Sequence, residues 1–198
     1  MSGNLLPVLP AMVGQLVEAR ILHFSRNRIG EQSGGQLPAE IGSCQKLQEL
    51  FIDSNEIVDL PLELGLLTNL ETLHLDIPKL KSPPQEILVE GTGRTLGYLR
   101  RLCDARSSGY LDLSTGSLGH RGLLTFPPQL LQLTELHTLL LTDNRLEELP
   151  LEIQDIKRLT CLDLAGNVLR SLPRTMVVHT ELTSLDLRNK GSSVSRFG

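Results

Sequence analysis

The segment LHTLLLTDNRLEELPLEIQDI, from Leu136 to Ile156, carries the spacing that decides the fold of this chain. Its regularly spaced positions are Leu136, Leu139, Leu141, Asn144, Leu146, Leu149, Pro150, Ile153 and Ile156. The frame returns after 23 residues, from Leu136 to Leu159, and then reads Leu159, Leu162, Leu164, Asn167, Leu169, Leu172, Pro173 and Met176. Chance does not place so many constrained residues twice in register, so the chain is built from a repeated structural unit.

A period in the twenties that combines LxxLxLxxNxL with a trailing LPxxI is typical of leucine-rich repeats. We therefore predict an α/β solenoid, or horseshoe, in which each repeat adds one short strand to a parallel concave sheet. The two leucines of each LxL segment should enter the core, and the residues beside them should face the concave surface. The asparagine should satisfy buried backbone groups where the chain turns away from the strand. The proline should restrict the backbone where the convex segment begins.

Further copies of this frame, some of them incomplete, run along the rest of the chain and begin near Asn4, Leu22, Leu47, Leu70, Leu111 and Leu182. Two copies contain glycine-rich insertions, within 30–36 and 119–123, which we expect to form flexible bulges on the convex side. In the last copy Lys190 takes the asparagine position.

The repeat rhythm breaks between residues 85 and 106. An apolar stripe at helical spacing predicts helices over 85–90 and 93–105, and it consists of Leu96, Leu99, Leu102 and Cys103. Gly91 is expected to end the first helix and Thr92 to cap the second. We therefore expect a first array over 1–106 that ends in a helical insertion near 85–106, a second array over 107–190, and a disordered tail over 191–198.

Both ends of the array lack a polar capping unit, so each end is expected to expose leucines and an unpaired strand edge. We infer from this that the chain is a fragment of a longer protein or an incomplete gene model. The alternative is that the ends are covered by self-association.

Composition excludes several classes of function. The net charge of −4 and pI near 5.7 give no electrostatic basis for binding nucleic acid. No apolar run is long enough for a membrane span. The three cysteines are odd in number and form no CxxC pair, so they predict neither a disulfide framework nor a zinc site. No asparagine starts an N-x-(S/T) acceptor, which favours a cytoplasmic location.

The repeats resemble the intracellular leucine-rich repeats of the Ras-group and ROCO type, which have LPxxI tails and about 23 residues. The segment SPPQEILVEGTGRTLGYLRRL (82–102) is similar to the PPxEixxxGtxxilxYLRxL ending that closes many such arrays. The resemblance implies signalling through protein contacts, often near small GTPases. The chain departs from ROCO proteins because it has no GxxxxGK(S/T) loop and because further repeats follow the ending.

Two columns of side chains are expected to face the concave surface. The middle column consists of His23, Phe51, His74, Asp112, Leu140, Asp163 and Asp186, and the next consists of Ser25, Asp53, Asp76, Ser114, Thr142, Ala165 and Arg188. Phe51 and Leu140 are apolar where the core needs nothing, which is how a contact patch begins. The aspartates should attract a basic partner. We therefore predict a protein-binding face at Phe51, Asp53, His74, Asp76, Asp112, Leu140, Asp163 and Asp186; the alternative is that these are only solvated strand residues.

No catalytic residue, cofactor site or metal site is predicted. His23 and His74 lie one repeat either side of Phe51, about 10 Å apart, too far to share a metal ion. No nucleophile, base and orienting group can be assembled into a motif. We expect a non-enzymatic interaction scaffold in intracellular signalling that binds a protein, for example a small GTPase, on its concave face. The alternative is a regulatory fragment of a larger enzyme, such as a GTPase-kinase or ubiquitin ligase.

Overall fold

The computed structural model describes residues 3–118 and 122–189, and it divides the chain into two compact units, Met1–Asp104 and Ala105–Gly198. The predicted bulge at 119–123 falls partly outside the described residues. The predicted tail over 191–198 and the asparagine-position residue Lys190 fall wholly outside them.

The first unit contains a three-stranded parallel sheet with the order β1–β2–β3, formed by β1 (Ile21–His23), β2 (Glu49–Phe51) and β3 (Thr72–His74). Short 3₁₀ helices follow the strands or precede them, at Ala11–Gln15, Ala39–Ser43, Leu62–Leu66 and Ile77–Lys79. Two α-helices come next in the chain, α1 (Gln85–Leu88) and α2 (Thr92–Ser108).

The second unit contains a four-stranded parallel sheet in sequence order, formed by β4 (Tyr110–Asp112), β5 (Thr138–Leu140), β6 (Cys161–Asp163) and β7 (Ser184–Asp186). A one-turn helix, α3 (Thr115–Leu118), follows β4. The 3₁₀ helices of this unit are Pro128–Gln132, Leu151–Asp155 and Arg174–Val178.

The middle residue of each strand points into a leucine core, as the LxL spacing predicts. Leu50, Leu139 and Leu162 are each fully buried, and they are neighbours of the equivalent leucines in the adjacent strands. Burial of each such side chain by a neighbouring repeat contributes about 1.5–3 kcal/mol to the free energy of folding. The last strand of the second sheet is less well covered, because Leu185 is 41% exposed.

The asparagines form the predicted network behind the strands. In the second unit the amide of Asn144 donates to the carbonyls of Leu113 (3.0 Å) and Leu141 (2.8 Å), while its oxygen accepts from the backbone N–H of Leu123 (2.8 Å). In the first unit Asn55 makes the same three types of bond. Each asparagine therefore ties two successive turns together by satisfying backbone groups that are buried away from water.

The prolines stand where the sequence places them, immediately before the 3₁₀ helices. Pro38, Pro61 and Pro150 have φ between −67° and −68° and occupy the residue that precedes the helix. This fixed φ orients the chain as it leaves the strand side of the repeat.

The insertion within 30–36 is a hydrogen-bonded turn. The N–H of Gly35 donates to the carbonyl of Gly30 (2.8 Å), and the N–H of Val58 in the next repeat donates to the carbonyl of Gly35 (2.8 Å). Gly30 has φ +110°, and a Cβ there would lie 2.1 Å from the carbonyl oxygen of Glu56. Glycine is therefore required at this turn by both its backbone conformation and the close approach of the next repeat.

The helical segment differs in detail from its prediction. The helices run over Gln85–Leu88 and Thr92–Ser108, where we expected 85–90 and 93–105. Gly91 separates them with φ +95°. Thr92 begins α2, and its hydroxyl accepts a hydrogen bond from the N–H of Leu73 in β3 (3.1 Å). The hydroxyl therefore serves the edge of the first sheet, where we had expected it to cap α2.

The backbone of α2 packs directly on the 3₁₀ helix Leu62–Leu66 at Gly65. A Cβ at Gly65 would lie 2.2 Å from the backbone nitrogen of Arg100 and 2.6 Å from its Cα. Such contacts are impossible without moving one of the two backbones, so the absence of a side chain at Gly65 allows α2 to approach the repeat that begins at Leu47.

Candidate protein-binding faces

Alternate strand residues point away from the leucine core, so each sheet has one face that is not covered by the 3₁₀ helices. The first open face lies in the first unit and consists of Ile21, His23, Ser25, Glu49, Phe51, Asp53, Thr72, His74 and Asp76. The second open face lies in the second unit and consists of Tyr110, Asp112, Ser114, Thr138, Leu140, Thr142, Cys161, Asp163, Ser184, Asp186 and Arg188.

A row of stacked rings crosses the first open face. His23, Phe51 and His74 occupy the same register position in β1, β2 and β3. The ring centroids of His23 and Phe51 are 4.1 Å apart with an interplanar angle of 15°, and those of Phe51 and His74 are 4.5 Å apart with an angle of 10°. We call these three residues the ring ladder. Because the imidazoles cover opposite faces of Phe51, they cannot ligate one metal ion together.

Carboxylates lie beside the ring ladder and are held in place by hydrogen bonds. Asp53 accepts from the Ser25 hydroxyl across the strands (2.5 Å) and from the Ser54 hydroxyl (3.3 Å). Asp76 accepts from the N–H of Ser54 (2.7 Å), and the ammonium of Lys79 lies 3.8 Å from it. Glu49, on the other side of Phe51 in the same strand, is half-buried. The face therefore presents fixed negative charge around an aromatic centre.

The second open face has a different composition. In register across the sheet stand Asp112, Leu140, Asp163 and Asp186. Asp112, Asp163 and Asp186 each accept a hydrogen bond from the backbone N–H two residues later in their own chain segment, at 2.9 Å in each case. These local bonds hold the carboxylates against their own strand ends.

Asp186 has the further partner Arg188. Two guanidinium nitrogens of Arg188 donate to the carboxylate of Asp186: Nε to both oxygens at 3.0 Å and Nη2 to Oδ2 at 2.5 Å. The carboxylate raises the pKa of Arg188 through these hydrogen bonds and through its charge. Much of the negative charge that we predicted at Asp186 is therefore offset within the same strand end.

The structure groups the predicted site residues by sheet. Phe51, Asp53, His74 and Asp76 come together in the first open face, and Asp112, Leu140, Asp163 and Asp186 come together in the second. The expectation that Ala165 faces outward was wrong, because Ala165 is only 1% exposed. The stacking of His23 on Phe51 was missed, although one signal was present: the middle column reads His, Phe, His in three successive repeats.

Two observations limit other chemistry in the part of the chain that the structure describes. No group of three His, Cys, Asp or Glu side chains within residues 3–118 and 122–189 could hold a metal ion. Over the same residues, no helix combines the length and the apolar character that crossing a membrane requires.

The chain shares sequence with parts of much larger proteins, and no family model matches it. It is 29% identical to the probable serine/threonine-protein kinase pats1 of Dictyostelium discoideum over 168 residues, which are 84% of this chain and 5% of that protein. It is 36% identical to the adenylate cyclase of Schizosaccharomyces pombe over 76 residues, which are 38% of this chain and 4% of that protein. The chain thus spans about one twentieth of the length of these curated relatives.

Solved structures show similarity along most of the chain. A leucine-rich repeat protein of Leptospira interrogans is 30% identical, with 93% of this chain and 41% of that chain covered and a TM-score of 0.40. An internalin of Listeria monocytogenes is 16% identical, with 92% and 39% covered and a TM-score of 0.28. Both TM-scores are too low to transfer an arrangement or a function to this chain.

The structure shows repeats of the leucine-rich type that the sequence spacing predicts, since they combine one short parallel strand, a buried asparagine and a proline-led 3₁₀ helix. Repeats of this kind form interaction domains, since stacked units present an extended surface whose residues vary independently of the core.

Proposed function

We propose that this protein is a non-enzymatic interaction module of intracellular signalling that binds a protein partner, for example a small GTPase, on the concave side of its repeats. The observation that carries the proposal is the ring ladder, because Phe51 and its two imidazoles occupy an outward-facing row where the core needs no apolar group. Rigid aromatic groups in a fixed setting are common binding hot spots, since they lose little side-chain entropy on association.

The binding residues of this proposal belong to both open faces. Phe51, Asp53, His74 and Asp76 form the contact in the first array (1–106), and Asp112, Leu140, Asp163 and Asp186 form that in the second (107–190). Phe51 and Leu140 act as apolar anchors and the aspartates favour the approach of a basic partner. A cytoplasmic location fits the absence of N-x-(S/T) acceptors from the sequence.

The first test is a cross-linked pull-down from cells that express the protein, with residues 1–198 as bait and with GDP or a non-hydrolysable GTP analogue in parallel lysates. Phe51→Glu should abolish recovery of the partner because it places a carboxylate within the ring ladder. Nucleotide-dependent recovery would identify a small GTPase.

Matched controls separate loss of the face from general damage. Val89→Glu and Val168→Glu change exposed apolar residues, 66% and 57% exposed, that lie outside the open faces, and both should retain the partner. Each variant must have the same midpoint of denaturant unfolding as the wild-type protein. Equal recovery by wild-type and Phe51→Glu baits would exclude the first open face, and equal recovery by Leu140→Glu would exclude the second.

A second candidate function is a regulatory segment of a larger multidomain enzyme. It is favoured by the similarity of 84% of this chain to 5% of a probable serine/threonine-protein kinase. Sequencing of full-length transcripts tests it: a kinase, GTPase or ubiquitin-ligase domain in the same reading frame supports this function, and transcripts without one contradict it.

A further inference from the structure

The ring ladder presents ring edges to a partner. In a stack with centroid distances of 4.1 and 4.5 Å, both faces of the Phe51 ring are in contact with imidazoles. A cation that approaches Phe51 therefore cannot lie over the ring face, which is the geometry that a cation–π interaction requires. What remains accessible is a narrow strip of ring edges, which can be covered by the methylene groups of an aliphatic chain.

Charge surrounds this strip on both sides. Glu49 and Asp53 lie two residues before and after Phe51, and at a strand rise of about 3.3 Å per residue the Cα atom of each is about 7 Å from that of Phe51. Asp76 stands beside Asp53 on the neighbouring strand. The nine residues of the first open face contain these three carboxylates and neither lysine nor arginine. The ammonium of Lys79, which lies 3.8 Å from Asp76, is also 3.6 Å from Glu56.

We infer that the first open face binds an extended basic segment of a partner protein, with the methylene stem of an arginine or lysine lying across the edges of the ring ladder and its cationic head at Glu49 or Asp53. This inference rests on the proposed function and specifies its ligand. Long basic side chains suit the face because they combine an apolar stem with a charged end. The Cα atoms of Glu49 and Asp53 lie about 7 Å from that of Phe51 along an extended strand, a span that a lysine or arginine side chain can bridge.

The same charges argue against anionic ligands. A phosphate, a nucleic-acid strand or an acidic membrane surface would meet three carboxylates around the ring ladder. Asp53 and Asp76 are already oriented by the Ser25 hydroxyl and the Ser54 N–H, so they need little rearrangement to receive a cation. The basic character of the ligand thus follows from residues that are fixed before binding.

The test is a selection from a random nonapeptide library displayed on phage, with the immobilised 198-residue chain as target and Phe51→Glu for counter-selection. Peptides that survive should be enriched in arginine or lysine and depleted in aspartate and glutamate. The best peptide is then synthesised in fluorescent form, together with a version in which citrulline replaces each arginine, or norleucine each lysine.

Two variants isolate the carboxylates. Glu49→Gln with Asp53→Asn removes two charges but keeps side-chain size, and it should weaken binding of the basic peptide about tenfold or more. Glu40→Gln is the matched control, because Glu40 is exposed on the 3₁₀ helix Ala39–Ser43 outside the open face, and it should leave affinity unchanged. The neutral peptide should bind the double variant and the wild type equally.

The outcomes separate this inference from the proposed function. Phe51-dependent peptides without basic residues, or basic peptides that bind the double variant as tightly as wild type, would overturn the inference while leaving the face as a binding site. A selection that yields no Phe51-dependent peptide would overturn both at this face.

Discussion

The two open faces share one backbone plan and differ in how their side chains are held. In the first, side chains bond across strands: the rings of the ladder stack on each other, and Ser25 donates to Asp53. In the second, Asp112 and Asp163 bond to backbone N–H groups of their own strand ends. The repeat determines the position of each side chain on the sheet. The residue at the same position in the next repeat determines whether two side chains on adjacent strands contact each other.

This difference makes the first face a surface whose side chains contact one another across strands, whereas Asp112 and Asp163 of the second face are also anchored to their own strand ends. A change at Phe51 must affect His23 and His74, since both rings rest on it. A change at Leu140 leaves the local bonds of Asp112 and Asp163 in place. The function of a surface in a repeat protein therefore depends on which side chains occupy the same position in adjacent repeats, as well as on the repeat itself.

The largest expected effect comes from removing the asparagine behind either face. Asn55→Ala leaves the N–H of Ile29 and the carbonyl of Ile52 without their side-chain partner, and Asn144→Ala does the same to the N–H of Leu123 and the carbonyl of Leu113, so each should lower the free energy of unfolding by about 2 kcal/mol or more. Denaturant titration measures the loss. Hydrogen exchange should show the protection falling first in the sheet that contains the substitution.

Asn69→Ala is the control for this pair, because its amide donates to the carbonyl of Gln45 at an exposed site (2.7 Å). Asn69→Ala should lower the free energy of unfolding by no more than about 0.5 kcal/mol. Equal losses for Asn69→Ala and Asn144→Ala would show that the buried network is not what stabilises the repeats.

An intermediate effect is expected in acid, where the stability of the second unit should fall because of His179. His179 occupies, in the second unit, the position that Leu67 occupies after Leu62–Leu66 in the first. It is 6% exposed, and neither ring nitrogen has a hydrogen-bond partner among the described residues. Burial lowers the pKa of His179, an effect that the nearby backbone of Ile153 opposes only in part.

The sign of the pH dependence follows from this lowered pKa. The unfolded chain takes up the proton more readily, so the stability contributed by neutral His179 is complete above the unfolded pKa of about 6.5 and is lost as pH falls from there towards the folded value. His179→Leu should remove this loss and raise stability at neutral pH by about 1 kcal/mol. Denaturant midpoints at neutral and acid pH measure both; an unchanged acid loss in the variant would assign it to other groups.

The smallest expected effect concerns the first unit. The hydroxyl of Tyr98 in α2 is fully buried and has no hydrogen-bond partner among the described residues, and burial raises its pKa. Tyr98→Phe removes only this oxygen, so it should leave stability unchanged or raise it by up to about 1 kcal/mol. A clear loss on denaturant titration would mean that the hydroxyl has a partner in solution.

The repeat itself was predictable from sequence because its determinants are local and recurrent. The leucines at LxL, Asn144 and Pro150 act through contacts that recur in several repeats, so spacing alone identifies them. The outward position of Phe51 and Leu140 followed from strand alternation in the same way. Both deductions required only the repeat length and the alternation of side chains along a strand.

Other features depend on contacts between distant residues and were not readable from spacing. The Thr92 hydroxyl bonds to Leu73 because α2 begins next to the edge of β3, an arrangement that capping rules do not contain. Ala165 is buried although it belongs to an outward column. The coupling of His23 to Phe51 required knowing how the side chains turn as well as where they are attached.

Gly65 makes one prediction about how this sequence can diverge. Every substitution there adds a Cβ that meets the backbone of Arg100, so no change of rotamer can relieve the conflict. In a saturation library sorted for folded protein, position 65 should retain glycine almost alone, while the adjacent Leu66, 36% exposed, should accept many residues. A lineage that loses Gly65 would have to move α2 in the same step, which makes this contact a barrier to gradual sequence drift.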